Sequence, residues 1–508
     1  MKVNKSSLLY GTFFLTAVNL VSQTLAFFYR IALTRIIGAE NIGLYQLLMP
    51  VYVVITSFCY SGLTVAVSKL VAEKSAIGAQ GEINSVLNSA LKLFIAVSVV
   101  VSAAVYIFSG SIANGFVGDG RTQKALIVLL PCMILTGIEN ISKNYFYGIN
   151  NVKIPAVMEI FEQIIRITAV IALLLIFYPS SDEDSVMLIA VGMVICEIFS
   201  AITLTFLRKH HLKKGNFKCK KAASKGIYKR LLMIAIPVCA TNLSGSLMDS
   251  VNSVIIPRRL VASGLSAEEA LESFGSLFGM SMPLFSLPTV FVGALCLIIV
   301  PSLSTLVAEE KHSEVKRKIS KIFTSSITVT LPITAFIIPI SPYLNELLFG
   351  YREIESNTVL LAVATVLGAV QAISASVAYG LGKQRPTTFS FILGDYIQVA
   401  FTYFLVSLPS LRLNGYVLGL IASILVTVTI NFVIILKTSG MRFQLYDWLL
   451  KPVFASLAVY FIATYSVSFF QKSGYAMLPA IIAVAIFCAI IYLALFKLLG
   501  KAKAPYRP

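Results

Sequence analysis

Runs of about twenty apolar residues recur from one end of this 508-residue chain to the other, each long enough to cross a bilayer as a helix. Nothing else in the sequence limits the fold as strongly. Inside hydrocarbon every backbone N–H and C=O must find a partner within its own segment, and a helix achieves this. Fourteen spans are expected: 8–29, 43–67, 88–109, 125–147, 154–178, 186–207, 231–255, 276–304, 322–343, 357–381, 387–408, 414–436, 448–470 and 476–498. With 57% of residues hydrophobic and 13% charged, the chain lacks the polar surface of a soluble protein this long. The fold class read here is therefore an all-α polytopic membrane protein. Pro50, Pro237, Pro283 and Pro288 fall inside spans and predict bends. The first span follows Lys2 and Lys5 but lacks a small-residue cleavage site and runs into Arg30, so it is read as a retained helix.

Charge placement predicts orientation. With the N-terminus in the cytoplasm, 31 of the 41 Lys and Arg fall on the cytoplasmic side and nine on the other, while Arg166 lies within a span. That asymmetry predicts a multi-pass cell-membrane protein with both termini cytoplasmic. The net charge of +18 thus reads as orientation, and no nucleic-acid partner is expected, because no folded module surrounds the basic run. The most basic stretch, "LRKHHLKKGNFKCKKAASKGIYKRLL" (207–232), is read as a solvated loop in contact with anionic lipid. The seven cysteines show no metal-ligand spacing and read as reduced packing residues.

The basic loop divides the chain. A first lobe is expected over 1–207 (helices 1–6), a linker over 208–230, a second lobe over 231–437 (helices 7–12), and a final helix pair with a tail over 438–508. The halves echo each other. "NLVSQTLAFFYRIALTRIIGA" from Asn19 aligns with "NLSGSLMDSVNSVIIPRRLVA" from Asn242, placing Arg35 opposite Arg258. Repeated halves with a substrate site between them are a common transporter plan. The final pair, nearly free of intramembrane charge, reads as a structural addition or a surface for a lipid tail.

Ionisable groups at membrane depth cost several kcal/mol and face a cavity or a partner. They are Glu139, Glu159, Glu162, Arg166, Glu197, Asp249 and Asp395, with Arg30 and Arg35 at a span edge. In "MEIFEQIIRITAVIALLLIF" (158–177), Glu159, Glu162, Gln163 and Arg166 share an arc of about 100° at ~100° per residue. Glu162 and Arg166 stand at i, i+4 in the favourable order. Two readings are open: a self-neutralised pair that packs two helices, or a cavity wall where Arg166 meets an anion. Glu159 lies near the cytoplasmic interface or serves cation coupling. Arg30, Arg35, Arg258 and Arg259 either anchor the outer interface or bring guanidinium forks to a central opening, where their geometry suits phosphate. Asp249, with Asn242, Ser246 and Asn252 nearby, reads as a polar cavity face or a helix–helix seam. Glu139 is placed near the cytoplasmic end of its span, in contact with water. "GSLFG" (275–279) and "GYVLG" (415–419) are small-residue packing signals.

His210, His211 and His312, the three histidines, are all placed in loops, and no phosphate-binding G-x-x-x-x-G-K-[ST] motif occurs. The pattern points away from an enzyme, and no cofactor or metal is expected.

Five stretches carry a family likeness: "TRIIGAENIGLYQLLMP" (34–50), "VAVSKLVAE" (65–73), "NYFYGINNVKIPAVMEIFEQIIRI" (144–167), "SLPTVFVGALCLIIVPSLS" (286–304) and "GLGKQRPTTFSFILGDYIQV" (380–399). In these the chain resembles the stage V sporulation protein B family, within the superfamily of multidrug extruders and lipid II flippases. The resemblance implies fourteen helices, two six-helix lobes in a V and alternating access. It also implies a polyprenyl-pyrophosphate-linked glycan as cargo, such as a cell-wall or spore-cortex peptidoglycan precursor. The family's "EQ..R" element maps onto Glu162, Gln163 and Arg166. One departure stands out: where the lipid II flippases carry two arginines in the first span, this chain has Gln23 and Tyr29.

The function expected is a lipid-linked glycan flippase, with Arg166, Arg30, Arg35, Arg258 and Arg259 holding the diphosphate. Glu159, Glu162, Gln163, Asp249, Asn242 and Asp395 are the polar or coupling residues of the cavity. Membrane lipids and wall-synthesis proteins are the other expected partners. A cation-coupled multidrug-type extruder on the same scaffold and a non-transporting scaffold for wall-synthesis enzymes are the rival readings.

Overall fold

The computed structural model describes residues 5–76, 79–214, 224–350, 358–441, 444–472 and 477–501, and among them every regular element is helical. These residues form fifteen α-helices: α1 (Lys5–Thr56), α2 (Gly62–Ala76), α3 (Gln80–Ile107), α4 (Gln123–Gly148), α5 (Lys153–Phe177), α6 (Asp182–Lys214), α7 (Ser224–Ala262), α8 (Ala267–Gly275), α9 (Met282–Ala308), α10 (His312–Phe349), α11 (Thr358–Gly380), α12 (Gln384–Leu405), α13 (Leu413–Ser439), α14 (Lys451–Lys472) and α15 (Met477–Lys501). Thirteen stretches among the described residues are long and apolar enough to cross a membrane. The first, Ala17–Ser75, runs 59 residues and takes in most of the first expected span and all of the second.

That stretch is interrupted at Gly38, whose φ of 78° and ψ of 174° break the helix inside α1. The 52 residues of α1 would otherwise form a rod of about 78 Å at ~1.5 Å per residue. A bilayer core is only about 30 Å thick. The bend expected at Pro50 is thus preceded by a sharper break twelve residues earlier, since only glycine adopts these angles without strain. Pro50 and Pro237 are accommodated inside α1 and α7. Pro283 follows a π-helical turn at Ser276–Ser281, and Pro452 follows another at Tyr446–Leu450. A proline cannot donate to the ladder, and widening the preceding turn absorbs the loss.

The chain forms two compact units, Met1–Arg258 with Ala267–Gly275, and Arg259–Ser266 with Ser276–Pro508. Helix α7 passes from the first unit to the second between Arg258 and Arg259. In the first unit α1, α5 and α6 close on a core of Tyr29, Leu33, Ile42, Val170, Leu174, Leu188 and Ile189. Small residues allow this close approach. A Cβ on Gly192 of α6 would overlap Val170 of α5, and one on Gly275 of α8 would overlap the Ala39 carbonyl of α1. In the second unit Trp448 is 1% exposed and stacks on Phe323 of α10 at 5.0 Å between ring centres. The packing signal at 415–419 is met here: Gly415 and Gly419 of α13 lie against Leu405 and Phe401 of α12.

The basic linker expected over 208–230 is helical at both ends, since α6 runs to Lys214 and α7 begins at Ser224. Residues 215–223, including Cys219, lie outside the described residues, as does Arg352. The six other cysteines are free thiols, four of them buried.

Candidate functional site

Five charged side chains from three helices of the first unit meet in one buried cluster. Helix α5 supplies Glu162 and Arg166, and the Arg166 Nη2 donates to Glu162 Oε1 at 2.6 Å. Helix α4 supplies Lys143, whose ammonium donates to the other Glu162 oxygen at 2.9 Å. The same ammonium lies 2.5 Å from Glu139 Oε1, one turn back on α4, but off the hydrogen-bond direction. Helix α6 supplies Glu197, whose Oε1 is 3.6 Å from Arg166 Nη2. The Cys196 thiol donates to the Glu162 backbone carbonyl at 3.2 Å, tying α6 to α5 beside the charges.

Burial sets the energetics. Glu139, Glu162 and Glu197 are 1%, 8% and 4% exposed. Taking a charge out of water costs several kcal/mol even in a real protein, so such groups persist only as a mutually paired set. Three carboxyl groups face two cations. Glu139 Oε1, Glu197 Oε2 and Arg166 Nε have no hydrogen-bond partner among the described residues. The carboxylates approach within 4.8 Å of one another, a spacing that could hold a cation, but an ammonium and a guanidinium already stand among them.

The charged pair expected in the 158–177 stretch is present in this geometry. Arg166 is paired with Glu162, as i, i+4 spacing predicts, and still keeps 22% of its side chain exposed. Gln163 and Glu159 are half-buried on the same helix. Arg30 of α1 is exposed and makes no ion pair among the described residues, and the Tyr45 hydroxyl lies in the field of both Arg30 and Arg166. Tyr29, at one of the positions where the resemblance predicts arginine, is 7% exposed, with its hydroxyl unpartnered among the described residues and Arg166 and Tyr45 nearby.

The remaining expected residues do not gather there. Arg35 is exposed on α1 and has an interaction partner. Arg258 donates to the carbonyls of Gly115 and Phe116, at the end of a π-helical turn over Ser111–Val117. Its neighbour Arg259 belongs to the second unit and lies 3.3 Å from the ring centre of Tyr403, a cation–π contact. Asp249 and Asn242 are exposed on α7, where Ser246 bridges to Ser57 of the Ser57–Ser61 π-turn at 2.9 Å. Asp395 is half-buried on α12 and has a partner.

Glu139 corrects the expectation of a water-exposed residue: α6 packs over α4 and leaves it 1% exposed. Lys143, counted with a cytoplasmic connection, is the residue that sequence reasoning missed. Its signal was present, because Glu139 and Lys143 repeat the i, i+4 spacing of Glu162 and Arg166. A second network was also missed. Arg121 donates to Glu40 at 2.7 Å, to Asp119 at 2.8 Å and to Asp182 at 2.8 Å, joining α1 to the start of α6.

The chain is a helical, multi-pass membrane protein with charge buried among its apolar spans, and the solved structures it resembles share its fold. The lipid II flippase MurJ in its inward closed conformation superposes with a TM-score of 0.71 at 13% identity, covering 96% of this chain and 99% of that one. An inward-facing multidrug resistance transporter of the MATE family gives 0.65 at 16% identity, over 84% and 98%. The chain belongs to the family described as polysaccharide biosynthesis protein, which matches residues 8–267. It is similar to stage V sporulation protein B of Bacillus subtilis (strain 168), with 23% identity over 88% of this chain and 87% of that protein. Sporulation protein YkvU of the same organism is 19% identical over 84% of this chain and 94% of its own length.

Proposed function

We propose that this protein is a membrane flippase that moves a polyprenyl-diphosphate-linked glycan from the cytoplasmic to the outer leaflet by alternating access of two lobes. The glycan class follows from the relatives named for lipid II and for sporulation. The observation that carries the reading is Arg166: a guanidinium held at bilayer depth by Glu162, part of it still accessible, with Arg30 exposed and free of ion pairs among the described residues. A diphosphate needs forked cationic donors in a place that water and a sugar head can reach. The polyprenyl tail needs only apolar surface. In this reading there are fourteen crossings, with the lobes at 1–207 and 231–437, both termini in the cytoplasm, and the 208–230 linker resting on anionic lipid. Wall-synthesis proteins are its neighbours in the membrane.

The test is purified full-length protein in liposomes with a labelled lipid-linked precursor in one leaflet. Transport by the wild type and its loss in Arg166→Ala support the reading, and equal rates in both overturn it. The carboxylate trio favours a second reading, a cation-coupled extruder, because acidic groups at depth are what cation coupling uses. Loss of drug resistance in Glu197→Gln, with precursor transport intact, selects that alternative.

A further inference from the structure

The second unit carries a basic pocket that no part of the flippase reading uses. It measures about 600 Å³ and is lined by Lys316, Arg317, Ser320 and Lys321 from the first turns of α10, with Gly440 and Gln444 beyond the end of α13. Its lining includes three cations and no carboxylate. None of the three forms an ion pair among the described residues, and all are exposed. Lys316 has a local duty, since its Nζ stands over Gly440 at the C-terminal end of α13, where cations are favoured. Arg317 and Lys321, one turn apart, have no such duty. The Ser320 hydroxyl donates to Gln444 at 2.6 Å and accepts from Trp448 at 3.1 Å, so the floor of the pocket is fixed.

An apolar neighbour deeper along α10 distinguishes this pocket from a solvated basic face. An apolar cavity of about 470 Å³ among α10, α14 and α15 begins at Thr328 and continues through Val329, Pro332 and Ile333 to Phe336. At ~1.5 Å per residue, Ile333 is about 18 Å further along the helix than Lys321. At ~100° per residue, Arg317, Lys321, Thr324 and Thr328 fall within an arc of about 60° on α10, and Pro332, Phe336, Val329 and Ile333 carry the lining round the helix over a further ~120°. The two cavities therefore adjoin along α10 at Thr324 and Thr328, cationic first and apolar deeper, with the apolar part turned further round the helix. A phosphate at the membrane surface, joined to a hydrocarbon chain of that length, has this distribution.

We propose that the α10 face is a binding site for an anionic phospholipid, with its phosphate against Arg317 and Lys321 and an acyl chain between α10, α14 and α15. Basic pockets beside membrane helices take such headgroups. The site shares no residue with the charge cluster of the first unit and does not depend on what the flippase carries.

The experiment uses full-length protein in detergent and counts bound lipid by native mass spectrometry, with phosphatidylglycerol and phosphatidylethanolamine as probes. Wild type should retain phosphatidylglycerol in preference to phosphatidylethanolamine. The double variant Arg317→Ala/Lys321→Ala should weaken that binding about thirtyfold, the loss expected for two cations at the interface. Arg317→Lys/Lys321→Arg should restore it, and Ala489→Trp, which fills the apolar cavity, should also reduce it. Undiminished phosphatidylglycerol binding by the double alanine variant overturns the proposal. Displacement by inorganic phosphate at equal concentration overturns it too, because the chain would then contribute nothing. Tighter binding of a polyprenyl phosphate assigns the site to cargo and overturns the assignment to bulk lipid. Arg166→Ala serves as the independent control, since it should abolish transport and leave phosphatidylglycerol binding at the wild-type level.

Discussion

Lys143 Nζ lies 2.9 Å from Glu162 Oε2 and joins α4 to α5 at a depth where neither charge could stand alone. One ammonium thus serves two carboxylates, Glu139 on its own helix and Glu162 on the next. Removing it strands Glu139 and leaves Glu162 to Arg166 alone. Lys143→Met should lower stability by about 3–5 kcal/mol, the cost of breaking a buried pair from one side. The double variant Lys143→Met/Glu139→Gln should recover part of the loss. Thermal unfolding of purified protein in detergent reads both. A Tm for Lys143→Met within about 2 °C of wild type (a margin of roughly 1 kcal/mol or less at this size) would show that the cluster is wet.

Arg166 is predicted to act by shape as well as charge. Arg166→Ala should reduce precursor transport at least about tenfold. Arg166→Lys should fall between it and wild type, since lysine keeps the charge but loses the planar fork. Initial rates in proteoliposomes decide this, and full activity in the lysine variant would reduce the role of Arg166 to charge alone.

The Arg121 network should matter less than its number of contacts suggests. Its side chain is 33% exposed, and exposed pairs contribute about 0–1 kcal/mol each. Arg121→Ala should therefore shift Tm by only a few degrees, and the shift should shrink at ~1 M salt, where the screening length falls to about 3 Å. A salt-independent shift would mean the network is shielded from solvent.

Two glycines make a matched pair. A Cβ on Gly275 would overlap the Ala39 carbonyl, whereas one on Gly245 meets nothing within 4 Å. Gly275→Ala should cost about 1–3 kcal/mol by forcing α8 off α1. Gly245→Ala should be neutral or should stabilise α7 by up to about 1 kcal/mol. Expression level and Tm compare the two, and equal behaviour would contradict the α1–α8 contact.

The fold class was readable because bilayer thickness and backbone hydrogen bonding leave one solution for repeated apolar runs. Each of the fourteen expected segments overlaps helix, and the Glu162–Arg166 pair follows from helical spacing alone. Helix ends were less legible. Positions 208–214 read as loop because lysine and histidine follow the span, yet α6 continues through them and packs on α4, with Arg208 buried and His211 Nδ1 2.8 Å from the Tyr145 hydroxyl. Which neighbour covers a polar residue was not legible at all. Glu139 looks wet in a linear reading and becomes buried only when α6 packs across α4. The destinations of Arg258 and Arg259 show the same limit: adjacent in sequence, one binds backbone carbonyls and the other an aromatic ring.

Gly38 concentrates a large geometric duty in one residue. Because no L-amino acid occupies its φ and ψ at low cost, the direction change inside α1 cannot be shared with a neighbour or recovered by a conservative replacement. The first helical stretch is in effect two rods on a single pivot, with Arg30 and Arg35 on one arm and Glu40 and Tyr45 on the other. Any chain of this type that loses that pivot must re-aim the arginines and the Tyr45 face together.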